Sequence, residues 1–196
     1  LSVCASVTDV PNSTDPTPES TLYLYEIALG AVEPTPVDQL LKLLDAAIHR
    51  AGGELVEAQV TRGGRRVFAV AEFATGNPAR LEPAELAGAE ITGPDAVRLV
   101  GADLADVKAV RPSAGYLVEW DLPADLDMAS YLARKKANAP KYADVPEVSF
   151  LRTYVREDMD KCLCLYDAAD EAAVRRARQA VSTPIDRLHG LESFQP

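Results

Sequence analysis

Apolar and polar positions alternate with period two in seven or eight short runs, broken by two clear stretches of helical period. Thr21 to Leu29 alternates β-branched and aromatic residues with polar ones and predicts a strand. Pro34, Pro36 and Asp38 then introduce a helix over 37–51, with Leu40, Leu41, Leu44 and Ile48 along one face and Gly52-Gly53 as its stop. Strands follow at Glu54 to Val60 and Arg66 to Phe73, joined by Arg62-Gly63-Gly64-Arg65, a hairpin signal. A weaker helix falls at 83–89, and a closing strand at 96–100, extended by 107–110.

The pattern then recurs. A strand at Tyr116 to Leu122 leads to a helix at 126–138, with Met128 and Leu132 inward. Val148 to Val155 and Lys161 to Asp167 form a hairpin across Glu157-Asp158-Met159-Asp160. Ala169-Asp170-Glu171 opens a helix through Val181, its acids placed where the macrodipole favours them, and Pro184 to Leu188 begins a last strand.

The recurrence extends to residue identity. Tyr23-Leu24-Tyr25-Glu26-Ile27-Ala28-Leu29 returns as Tyr116-Leu117-Val118-Glu119-Trp120-Asp121-Leu122, with four of seven positions identical. Val60 to Glu72 aligns with Val155 to Asp167 in the same order. We therefore expect two tandem repeats, 21–111 and 112–196, each in the strand-helix-strand-strand-helix-strand order of a ferredoxin-like α+β unit. Such a unit leaves one sheet face bare. Packing two bare faces together as a pseudo-dimer would cover both.

Residues 1–20, rich in Pro, Ser, Thr and Asp, carry little apolar surface and read as a disordered tail. The other reading of this tail is a docking peptide that makes the chain an adaptor for a larger assembly.

Composition narrows the function. The chain has 196 residues and a net charge of −10, which excludes the basic footprint of a nucleic-acid binder. The run Arg175-Arg176-Ala177-Arg178 reads as a solvated helix face. No stretch reaches the length of a membrane span. Three cysteines, an odd number, argue against a disulfide framework and for a reduced, cytoplasmic protein. Phosphate-binding glycine loops, G-x-S-x-G and H-E-x-x-H are absent.

Strand alternation also assigns candidate chemistry. If Val118, Trp120, Leu151, Val155, Leu163 and Leu165 pack on the helices, the bare face carries Glu119, Asp121, Arg152, Tyr154, Cys162, Cys164 and Tyr166. The first repeat would oppose them with Glu26, Ala28, Glu57, Gln59, Val67, Ala69 and Ala71, enclosing a lopsided cavity. There Glu119 and Glu26 could serve as bases or ligands, Arg152 could orient an anion, and Tyr154 and Tyr166 could donate hydrogen bonds. The bland reading is that Glu119 pairs with Arg152 and the tyrosines fill an interface. Cys162 and Cys164 would lie roughly 6.5 to 7 Å apart on one face, core thiols or two soft metal ligands. His49 and His189 read as surface histidines.

Three stretches carry a resemblance: GYLVEWDLP at 115–123, SFLRTYVREDMDKCLCLYDAADEAAVRRA at 149–177, and TPIDRL at 183–188. They resemble a bacterial family of small ferredoxin-like proteins that takes its label from a nickel-binding, nickel-responsive member. The resemblance covers about 75 residues of the second half; the first half looks like a diverged copy. It implies the ferredoxin-like fold, a dimer-like association of sheets, and nickel or another divalent metal as ligand; the bare sheet faces leave a homo-oligomer open as the alternative to packing within one chain. Nickel favours imidazole and related N/O ligands, and the two histidines lie outside the matched stretches. The leading expectation is a binding protein for a small ligand or divalent metal. Its rivals are a cofactor-independent enzyme of the dimeric α+β barrel type, with Glu119 as base, and the tail-docked adaptor.

Overall fold

The computed structural model describes residues 19–30, 35–110 and 113–193. The proposed tail lies outside them except for Glu19 and Ser20, as does the boundary at 111–112. In chain order the elements are β1 (Ser20–Ala28), α1 (Val37–Arg50), β2 (Glu54–Val60), β3 (Arg66–Ala74), a 3-10 turn (Pro83–Leu86), β4 (Glu90–Val100) and α2 (Leu104–Val110). Then follow β5 (Tyr116–Asp121), α3 (Met128–Asn138), a 3-10 segment (Ala139–Asp144), β6 (Val148–Arg156), β7 (Lys161–Ala168), α4 (Glu171–Ala180) and β8 (Arg187–Gly190).

Local chemistry sets these bounds. In α1 the stripe Leu40, Leu44, Ala47 and Ile48 is buried, and the helix stops where Gly52 enters the left-handed region at φ 81°. Asp127 caps α3 by accepting from Ser130 N at 2.7 Å, and Asp170 caps α4 by accepting from Ala173 N at 2.8 Å. Two predictions fail. The helix at 83–89 shrinks to a 3-10 turn, and 107–110 is not strand but the end of α2. Gly101, at φ 87°, turns the chain out of β4, so the apolar residues beyond it follow a new helical period.

All strand pairs are antiparallel, in the order β2-β3-β1-β4-β6-β7-β5-β8. The first four strands and the last four follow the same pattern, second-third-first-fourth. They are not two separate sheets packed face to face. β4 pairs with β6 from Val97↔Arg156 to Val100↔Thr153, which makes one eight-stranded sheet. The bridge Thr61↔Leu191 and the bond from Arg62 N to Gly190 O (2.8 Å) tie the outer strands together, so the sheet closes on itself.

Closure explains the three cores. Leu22, Leu24, Phe68 and Val70 from the first half meet Leu117, Tyr154, Leu163 and Leu165 from the second in the interior. Outside, α1 packs on Tyr25, Ile27, Val67, Ala69 and Ala71. On the other side, α3 and α4 pack on Val118, Trp120, Val155, Cys162, Cys164 and Tyr166. Among the described residues no helix is long and apolar enough to cross a membrane.

Candidate functional site

Register decides which side chains meet, because directly opposed residues share a sheet face. Cys162 opposes Val155 and Trp120, and Cys164 opposes Thr153 and Val118. Val118, Trp120 and Val155 face the helices, so Cys162, Cys164 and Tyr166 do too, and Leu163 and Leu165 turn inward. The expected placement of these three on the bare face is thus reversed, along with that of Leu163 and Leu165. Val67, Ala69 and Ala71 are likewise reversed: they oppose Ile27, Tyr25 and Tyr23 and face α1. The bulky Phe68 and Val70 take the interior instead and pack where the lopsided cavity was expected.

The other predicted residues form two ion-pair networks in the interior, except that Asp121, expected inside, is exposed at the edge of one of them. In one, Arg152, 1% exposed, donates from Nε and Nη2 to both oxygens of Glu57 at 2.7 and 2.6 Å. The Tyr154 hydroxyl donates to the same carboxylate. A bulge between Leu55 and Glu57 brings Glu57 to this position. The network ties β2 of the first half to β6 of the second.

In the other, Glu119 is fully buried and receives Lys161 Nζ at 2.9 Å, Arg187 Nε at 2.9 Å and His189 Nε2 at 2.7 Å. Lys161 also pairs with Glu26, and Arg187 with Asp121. Glu119 therefore pairs with neither Arg152 nor solvent. Burial alone would raise its pKa, but His189, Lys161 and Arg187 together hold it well below the usual carboxylate range. Such a carboxylate is a poor proton acceptor near neutral pH and acts as the hub of an electrostatic clamp. His189, read from sequence as a surface residue, lies in β8 and serves this hub.

The third group lies on the helix-covered face of the second half. Cys162 and Cys164 Sγ are 3.9 Å apart, closer than strand rise alone implies, because both side chains lean together. Thr153 Oγ1 lies 3.0 Å from Cys164 Sγ and donates to Leu163 O at 2.8 Å. Arg178 Nη1 donates to Cys164 Sγ at 3.4 Å and to the Tyr166 hydroxyl at 3.2 Å, and Nη2 donates to Pro184 O at 2.5 Å. The Tyr142 and Tyr166 hydroxyls are 2.8 Å apart. The Cys162 thiol bonded to it, aided by Lys135 and Arg178, pulls the Cys164 thiol below its ordinary range despite burial. The same hydrogen bond and burial push Cys162 up.

A cleft of about 30 Å³, room for one or two waters, opens beside this group. Trp120, Tyr131, Arg134, Lys135, Cys164 and Arg178 are among its walls. Arg178 was read as part of a solvated face; it is 2% exposed. Its spacing from Val174 and Ala177, both buried, would have placed it inward. Arg175 and Arg176 do lie outside, paired with Glu171 and Glu147.

The fold and this cleft define a small α+β protein built on one closed antiparallel sheet. Residues 116–190 match the model of the family described as nickel responsive protein SCO4226-like, the family that the second-half motifs resemble. No curated protein matches the chain. Among solved structures, one described as a candidate chlorite dismutase, TA0507, shares the fold. Its TM-score is 0.52 at 13% identity, over 88% of this chain and 95% of that one. A microcompartments protein from Desulfitobacterium hafniense DCB aligns over 89% and 96% at 12% identity, but its TM-score of 0.32 carries no argument.

Among the described residues, nickel would meet only two thiol donors, the Cys162 and Cys164 sulfurs. Among the described residues, no group of three or more His, Cys, Asp or Glu is arranged to hold a metal ion. Glu26, Glu119 and His189 come together, but Lys161 supplies the cation between the two carboxylates.

Proposed function

We propose that this chain is a small-ligand-binding protein whose ligand occupies the cleft walled by β5, β7, α3 and α4. The observation that carries this reading is the cleft itself: it opens onto a buried arginine and a thiol, inside the stretch that matches the family. The first half has α1 and a 3-10 turn where the second has α3 and α4, and its helix-side core is aliphatic and aromatic. The shared strand order supports reading the halves as tandem copies, of which the second keeps the site. Native mass spectrometry of untagged protein tests this. A bound small molecule, lost from a variant with a filled cleft such as Ala139→Trp, supports it; retention in that variant contradicts it.

The family match favours a second reading, with nickel as the ligand. Cys162 and Cys164 would then be the protein's soft donors, with solvent or a co-bound molecule completing the coordination shell. Calorimetric titration with nickel checks this: absence of heat at near-millimolar metal removes it. The enzyme reading needs Glu119 as base, and the two cations and the imidazole bonded to that carboxylate weigh against it.

A further inference from the structure

We infer that the second-half cleft takes the anionic end of a small molecule, a carboxylate or similarly sized oxyanion, with Arg178 as its counter-ion. The inference rests on reading the cleft as a ligand site and adds the charge of what enters it.

The first support is an unmet hydrogen bond. Arg178 Nε is buried and has no hydrogen-bond partner among the described residues. The other guanidinium nitrogens reach a thiol, a phenol and a carbonyl oxygen, none of them a carboxylate. Its helix neighbours Arg175 and Arg176 both have carboxylate partners. The Cys164 sulfur, drawn toward its thiolate, balances part of the Arg178 charge, but the orphaned buried Nε–H still calls for an acceptor.

The second support is the sign of the walls. The chain has 30 acidic and 20 basic residues, yet the charged residues described around the cleft are Arg134, Lys135 and Arg178, all basic. Arg134 lies over the Trp120 ring at 5.3 Å and Lys135 over Phe150 at 4.2 Å, which holds both cations at the rim. The third support is size: about 30 Å³ fits a carboxylate-sized head, and the open side leaves room for the rest of the molecule. A guanidinium with rim cations and no competing carboxylate is the chemistry that selects such a head.

Trp120, the chain's single tryptophan, lines the cleft and reports directly. Its fluorescence is titrated with sodium acetate and with inorganic phosphate, against acetamide and sodium chloride at matched ionic strength. We expect a saturable change with acetate or phosphate and none with acetamide; the tighter of the two tells carboxylate from inorganic oxyanion. Lys135→Glu should weaken that binding at least tenfold with an unchanged far-UV spectrum, and Arg178→Gln should abolish it. Should Arg178→Gln misfold, the rim variant and the acetate–acetamide contrast still decide. Acetamide binding as well as acetate, or an unchanged affinity in Lys135→Glu, would overturn the anionic assignment while leaving the cleft a ligand site. Silence from every probe would overturn both.

Discussion

The two halves share a strand order but not a lining. On the outer face of the first half, Leu40, Leu44 and Ile48 of α1 close over Tyr25, Ile27, Ala69 and Ala71, and Leu86 of the 3-10 turn seals the edge. On the outer face of the second, the same sheet positions present Cys162, Cys164 and Tyr166, and α4 delivers Arg178 among them. One face is a finished core; the other holds a buried guanidinium whose Nε protein atoms do not satisfy. The difference teaches that a shared strand order sets where a site can form, and the side chains of one half decide whether it does.

The comparison can be broken first at the seam. Arg152→Ala leaves Glu57 buried without its cation, and we expect a loss of about 3–5 kcal/mol in denaturant unfolding. A loss under about 1 kcal/mol would mean that this network does not tie the halves together. Next, Leu44→Ala should cost about 2–5 kcal/mol, because the closed first-half core has little means of filling the gap. A much smaller cost would show that face to be as loosely filled as the second.

The clamp comes third. Glu119→Gln should cost about 1–3 kcal/mol at pH 7. The folded pKa of Glu119 lies below the ordinary 4.5, so its stabilisation is present above pH 4.5 and is lost as pH falls from there. Urea midpoints between pH 3 and 7 should therefore fall less steeply in Glu119→Gln than in the parent. Equal slopes would remove Glu119 from the acid response. The smallest effect is expected at the cleft rim: Lys135→Glu should change stability by less than about 1 kcal/mol, since it gives up only a partly exposed contact with Phe150.

Much of this architecture was legible in the chain. The strand-helix-strand-strand order of each half, the acidic opening of α4 at Asp170, and the inward aim of Glu26, Glu119, Arg152 and Tyr154 follow from pattern and alternation. The face of β7 does not. Both sides of that strand are buried, Leu163 and Leu165 against the interior and Cys162, Cys164 and Tyr166 against helices, so hydrophobicity offers no contrast between them. Only the pairing of Cys162 with Val155 and Trp120 settles it. The inward aim of Glu57 was expected too, but its pairing with Arg152 depends on strands far apart in sequence, and the pairing of His189 with Glu119 depends on which strand lies beside β5, neither written in local pattern. Arg178 was readable, since helical spacing places it beside Val174 and Ala177, but its neighbours Arg175 and Arg176 masked it as one basic run.

The claim that one copy alone holds a ligand site is tested most directly by amide NMR during titration with sodium acetate. Shifts that saturate and cluster in α3, α4, β5 and β7, with α1 and β1 to β3 unmoved, are the predicted result. Shifts centred on the first half, or spread evenly over both, would contradict it.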